Sequence, residues 1–283
     1  MKIKVNSPVY DSSNGAATIK LISDNGTHAL IKIDFLTLLP FVNKVSSKVI
    51  DFFIMSACAY GIDRFVDRKA NSVDGWSREL IVELPVFNTA LWNNARVELE
   101  SLFSFLTGDY WSIDFYKMQF KYPNKPLEEE YNDTFSQVNL FSGGLDSLIG
   151  VINFLETKPA EKILFTSHYD REMKGPKGDQ GELLDKLQSK YGGQFIHIPS
   201  VEVTLSYSTA NKETTFRSRS ILFIGMALLV AQTKSIPIIV PENGTVSLNY
   251  PLSPSRRSAC STRTTHPTYM SKIRILWEKI GAL

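Results

Sequence analysis

A chain of 283 residues with a net charge of +2, 43% apolar and 21% charged residues, has the composition of a globular protein with enough apolar mass for two cores. The near balance of charge decides nothing about nucleic acid, so direct nucleic-acid binding stays open and partners must be read from local clusters. Two cysteines, Cys58 and Cys260, argue against a disulfide framework or an all-protein zinc site. The longest apolar stretch, residues 221–231, falls short of the roughly 20 residues a membrane span needs. Residues 1–5 lead into polar sequence without an apolar secretory core. A cytoplasmic protein with no membrane partner is expected.

Residues 1–133 read as an α+β domain. Two strands, 16–22 and 27–33, flank Asp24-Asn25-Gly26, a strong hairpin signal. A helix over 45–66 carries Val49, Phe52, Phe53, Met55 and Ala59 on its apolar side. Residues 78–84 alternate like a strand, 89–106 are helical in pattern, and 111–120 alternate again. The order ββαβαβ predicts a mixed sheet with helices on one face. Tyr122-Pro123-Asn124-Lys125-Pro126 and Glu128-Glu129-Glu130 then break the pattern, which places a linker and a domain boundary near residue 133.

Residues 134–283 change to a repeated strand-loop-helix pattern. Strand 138–141 leads to helix 147–156, strand 162–167 to helix 180–191, and strand 194–198 through a loop to helix 218–232. Strand 237–240 ends at Pro241-Glu242-Asn243-Gly244, and a last helix covers 269–280. Such alternation predicts an α/β, doubly wound parallel sheet, whose ligands sit beyond the carboxyl ends of its strands.

Four loops are placed there by this reading. The first, Ser142-Gly143-Gly144-Leu145-Asp146-Ser147, joins an apolar strand to an apolar helix. Its glycines allow positive φ and close backbone approach, and the helix start presents unpaired N–H groups at the positive end of its dipole. That is an anion site, with Ser142 and Ser147 as hydroxyl donors and Asp146 as a helix cap or a holder of Mg²⁺. It matches neither a Walker A loop nor a Gly-x-Gly-x-x-Gly fingerprint. The second loop is Thr166-Ser167-His168, where His168 could stack or donate, although a lone histidine at a strand end is commonly a structural hydrogen-bonder. The third opens the most apolar helix and holds Arg217 and Arg219; the planar guanidinium suits a phosphate clamp. The fourth runs from Glu242-Asn243-Gly244 through Tyr250 to the cationic, hydroxyl-rich stretch with Arg256, Arg257, Arg263 and His266. Its scarcity of acids makes it anion-seeking, where a bare charge run would be a surface loop.

The hexapeptide at 142–147 resembles the PP-loop of the N-type ATP pyrophosphatases, which cleave ATP between the α and β phosphates and activate a substrate oxygen as its adenylate. From about residue 135 the chain is most similar to the 7-cyano-7-deazaguanine synthase (QueC) branch, and within it to the QueC-like proteins of the Qat anti-phage defence system. That branch has Arg-Asn with a small residue eight positions after the arginine, which Arg219, Ser220 and Ala227 match with Ser in place of Asn. Asn243, Tyr250 and Pro251 fall at the spacing of its Asn and Tyr-Pro, but Leu252 and Ser253 stand where Asp and Cys belong. The segment from Arg263 to Pro267 looks like the Arg-Thr-Thr-His-Pro of the Qat group. A four-cysteine zinc site near the C-terminus, another property of the branch, has no counterpart in these 283 residues.

The resemblance implies ATP and Mg²⁺ as cofactors and an ATP-dependent ligase that forms AMP and diphosphate. Catalytic roles would fall to Asp146, Arg219 and Arg263. ATP would contact Ser142, Gly143, Gly144, Leu145, Asp146, Ser147, Thr166, His168, Arg219, Asn243 and Gly244. A 7-deazapurine-type substrate would meet Tyr250, Arg256, Arg257, Arg263 and His266, and other Qat-system proteins would be partners. Two alternatives stand beside it. One is an ATP-binding scaffold subunit that does not turn over; the other is tRNA thiolation, for which Cys260 is the domain's one candidate sulfur carrier.

Overall fold

The computed structural model describes residues 1–42, 44–123, 133–172, 174–215, 217–248 and 263–282. Among them ten strands join one mixed sheet. Its first half comprises β1 (Lys2–Val5), β2 (Val9–Asp11), β3 (Ala16–Ser23), β4 (His28–Asp34), β5 (Glu79–Val86) and β6 (Tyr110–Lys117), with helices α1 (Ser47–Phe65), α2 (Arg68–Asn71), α3 (Thr89–Asn94) and α4 (Arg96–Thr107). The second half comprises β7 (Gln137–Leu140), α5 (Leu145–Thr157), β8 (Ile163–Tyr169), α6 (Lys174–Tyr191), β9 (Phe195–Ser208), α7 (Arg219–Lys234), β10 (Ile238–Ile239), α8 (Gly244–Ser247) and α9 (Pro267–Ile280). The strand order is β10-β7-β8-β9-β4-β3-β1-β5-β6, with β2 paired to β3.

The hairpin between β3 and β4 forms as its Asn-Gly signal predicts. Gly26 takes φ +84° and the Asn25 carboxamide oxygen accepts from the Thr27 N–H at 2.9 Å. In this half the sheet is covered on one face. Ile3, Val5, Ile19, Leu21, Ile31 and Val82 are buried against the helices, while Lys2, Lys4, Lys20 and Glu83 point to solvent between them. In the second half β10, β7, β8 and the first part of β9 run parallel, and both faces are covered. Phe141, Ile163, Phe165 and Phe195 pack with α5 and α6, and the rings of Phe141, Phe165 and Phe195 stack at 5.3 and 4.7 Å. Val138, Leu164 and Ile198 belong to the opposite core with α7.

Two features depart from the sequence reading. The strand expected over 194–198 continues to Ser208, pairing parallel with β8 and then antiparallel with β4. One strand therefore joins both halves in a continuous sheet, and residues on either side of position 133 share one apolar cluster. Helix α1 is the second feature. Nearly all of its 19 residues are buried, Asp51, Asp63 and Arg64 among them, so the helix has contacts all round. Glycines permit it: a Cβ on Gly61 would meet Ile31, and one on Gly225 of α7 would lie 3.0 Å from Ser56 Oγ and 3.4 Å from the Phe53 Cα.

Candidate functional site

The strand order reverses at β7, with β8 on one side and β10 on the other, and parallel sheets open a crevice at such a switch point. A cleft of about 240 Å³ lies there, lined by Ser142, Ser147, Arg219, Glu242, Thr264 and Thr265 above the apolar Leu140, Phe223, Ile224 and Val240. A larger groove of about 630 Å³ between the ends of α7 and α9 holds no charged side chain. The smaller cleft is the one with convergent polar groups, the mark of a ligand site.

Its floor is the loop before α5. Gly143 adopts φ +85°, open to glycine at no steric cost, and no side chain caps the α5 N-terminus. A terminus of that kind leaves first-turn N–H donors for an acceptor. Ser147 donates to the Gly144 carbonyl at 2.8 Å, and the Gly144 N–H reaches Ser142 Oγ at 3.3 Å. Buried groups hold the stem: Ser167 Oγ donates to the Phe141 carbonyl at 2.8 Å and the Gln180 amide to the Ser142 carbonyl at 3.1 Å. His197 Nε2 lies 2.9 Å from Ser167 Oγ, and burial lowers its pKa to about 4, so the neutral ring supports Ser167 as a donor.

Arg219 forms one wall. Its guanidinium lies 5.0 Å from the Phe223 ring, and its Nε–H donates to His168 Nδ1 at 3.2 Å. Gly150 lets α5 approach the opposite wall, since a Cβ there would stand 3.0 Å from Pro241 Cβ. Beside Pro241, Glu242 accepts from the Asn243 N–H at 3.1 Å and from Thr265 Oγ1 at 3.2 Å. Burial raises the Glu242 pKa, and the adjacent Asp146 carboxylate, within hydrogen-bonding reach, raises it further. Two carboxylates at this cleft fit Mg²⁺, which takes one or two protein carboxylates and completes its shell with water and ligand oxygens. No group of three or more His, Cys, Asp or Glu side chains with metal-binding geometry occurs among the described residues.

The predicted residues divide accordingly. Ser142, Ser147 and Arg219 line the cleft, and Gly143, Gly144, Leu145 and Asp146 build the loop and first turn beneath it. Thr166 is fully buried in the middle of β8, with an unpartnered Oγ1; the strand runs on through Ser167 and His168 to Tyr169, where the sequence reading expected a loop. His168 is also buried, between Tyr60 and Phe223 at 5.3 and 5.7 Å, so it has no free ring face for a ligand. Asn243 and Gly244 are exposed at the start of α8, where Asn243 Oδ1 accepts from the Thr245 N–H at 2.9 Å. Arg263 donates to the Phe105 carbonyl at 2.7 Å and lies over that ring. His266 Nδ1 accepts from the Thr268 N–H at 3.1 Å, capping α9. Their neighbours Thr264 and Thr265 face the cleft instead. Tyr250, Arg256, Arg257 and Cys260 lie outside the described residues. Glu242 is the site residue that sequence reasoning missed; only its place beside Asn243 at a strand end hinted at it.

Fold and cleft together define an α/β protein whose parallel strands converge on a glycine loop and an uncapped helix start. Comparison with protein-family models, curated proteins and solved structures returns no match. No helix among the described residues is long and apolar enough to cross a membrane.

Proposed function

We propose that this chain is an ATP-dependent adenylating enzyme of the PP-loop type. The observation that carries the reading is the meeting, in one cleft, of the Ser142–Ser147 loop, Arg219 and the Asp146–Glu242 carboxylates. The open N–H groups of α5 and the two hydroxyls suit the β and γ phosphates, and Arg219 suits the charge that gathers as the pyrophosphate departs. Asp146 and Glu242 are the residues that would hold Mg²⁺, which neutralises phosphate charge when bound. An acceptor oxygen attacks the α-phosphorus, the α–β bridging bond breaks, and pyrophosphate leaves with that electron pair. An amine then displaces AMP from the activated carbon. Positioning and charge stabilisation suffice, without a nucleophilic side chain.

The acceptor proposed from the QueC resemblance is a 7-deazapurine carboxylate or amide, with ammonia or a partner-protein amine as the second substrate. The Qat resemblance puts the reaction in an anti-phage complex. A nucleotide-binding subunit without turnover is the second reading, favoured by Arg263 and His266, whose described contacts serve the fold. Release of AMP and pyrophosphate with 7-deazapurine acids, measured with and without co-purifying proteins, separates the two. ATP binding without AMP release under every condition would leave only the second.

A further inference from the structure

His168 stands one step behind the cleft, held on every side. Its Nε2 lies 2.8 Å from the Val203 carbonyl of β9, an acceptor only, so Nε2 carries the proton. Nδ1 is thereby left as the acceptor for the Arg219 Nε–H at 3.2 Å. Burial and the facing Arg219 cation push its pKa down to about 4, which keeps Nδ1 a lone-pair acceptor near neutral pH.

The ring is clamped edge-on between Tyr60 of α1 and Phe223 of α7, at interplanar angles of 84° and 81°. Tyr60 is fixed in turn: its hydroxyl donates to Asp170 Oδ2 at 2.6 Å, and Asp170 also takes hydrogen bonds from Thr204 Oγ1 at 2.8 Å and from Arg64. The β8–β9 ladder slips by one residue between Thr166 and His168, and bulges of this kind re-aim side chains next to sites.

We propose that His168 is a positioning residue that locks the Arg219 guanidinium toward the phosphate end of the cleft, as part of a clamp whose outer wall is α1. The proposal rests on the phosphate reading of the cleft for its consequence, but not for its geometry. With Nε engaged by His168, the guanidinium is held in the cleft that Ser142 and Ser147 also line. Without that bond the chain of the arginine regains rotamer freedom that a ligand must then remove. The first half of the chain is thereby tied to the chemistry of the second through Tyr60.

The test compares H168F, which keeps an aromatic ring without an acceptor, with H168N, whose Oδ1 can replace Nδ1. Pyrophosphate with Mg²⁺ is titrated into the full chain by calorimetry, and the Arg219 Nε–H resonance is followed by nitrogen-15 NMR, assigned by its loss in R219K. H168F is expected to lose the exchange-protected Nε–H signal and to bind pyrophosphate about tenfold more weakly, the scale of one hydrogen bond to a charged group. H168N is expected to keep the signal and stay within about threefold of the parent. Unchanged signal and affinity in H168F overturns the proposal. If H168F does not fold, H168L, which also lacks an acceptor, takes its place, and unchanged signal and affinity there overturns the proposal. A parent that binds no pyrophosphate yet keeps the His168-dependent signal removes the phosphate reading and leaves the positioning geometry intact.

Discussion

Asp146 and Glu242 bring two carboxylates to one cleft, and the proton on Glu242 sets a pH dependence. Burial, with Asp146 alongside, raises the Glu242 pKa, so the folded protein keeps this proton to higher pH than the unfolded chain does. Its stabilisation is complete below the unfolded carboxylate range and is lost as pH rises through the folded value. Glu242→Gln removes the like charge, so in metal-free buffer its melting temperature is expected to exceed the parent's at pH 8 and approach it at pH 4. The same change is expected to weaken the stabilisation that Mg²⁺ with pyrophosphate confers on the parent. Calorimetric melts at both pH values check this, and identical pH slopes for the two proteins count against the carboxylate pair. The loop at 142–147 and Arg219 were legible because glycine, serine and arginine announce anion chemistry locally. Glu242 was not, since an acid gains meaning only from Asp146, which the fold brings to it from the first turn of α5. The reverse holds for Arg263 and His266. Their cationic run reads as ligand-seeking, while their described partners are the Phe105 carbonyl and the Thr268 N–H.

The elements behind the cleft depend on α1, whose buried Asp63 and Arg64 are paired with charges on other segments of the chain. Arg78 is fully buried and donates to Asp63 at 2.5 Å and Asp109 at 2.6 Å, and Asp63 also accepts from Ser218 Oγ at 2.8 Å at the start of α7. Arg78→Met leaves both carboxylates short of their main cation and is expected to cost about 3–5 kcal/mol, read from urea unfolding; a cost under 1 kcal/mol is incompatible with a matched network. The α1–α7 crossing makes a second demand. Gly225→Val forces a side chain into the 3.0 Å gap to Ser56, and an overpacking cost of about 1–3 kcal/mol is expected. Gly225→Ala should cost less, because improved helix propensity of about 1 kcal/mol offsets part of the crowding. Apolar periodicity made α1, α5 and α7 readable to within a few residues. It failed where tertiary contacts decide. The helix expected over 89–106 breaks at Ala95 into α3 and α4, and the short β1 and β2 owe their strand state to pairing, β1 with β3 and β5 and β2 with β3.

At the scale of the whole molecule β9 ties the two halves of the chain into one sheet. The sequence pattern ends this strand at residue 198, yet the strand runs on and its second part pairs with β4 from Ile33↔Val203 to Ala29↔Ser208. Val201, Val203 and Leu205 are fully buried in a cluster fed by α1, α7 and the first-half strands. A boundary near residue 133 therefore divides the sequence pattern without dividing the core. Removing residues 1–133 would strip β4 from β9 and α1 from α7, leaving an unpaired strand edge and a bare apolar helix face, both of which favour aggregation. The full chain is expected to melt in one calorimetric transition whose van't Hoff and calorimetric enthalpies agree. A fragment of residues 134–283 is expected to resist neither proteolysis nor aggregation. Two resolved transitions, or a fragment that stays monomeric and binds pyrophosphate, would show that the shared strand is a seam and not a joint. Cooperativity has a consequence for the cleft as well. Tyr60 and Arg64 come from α1, while the His168 and Arg219 they support come from β8 and α7. Loss of the first half should therefore weaken phosphate binding even where the glycine loop itself stays folded.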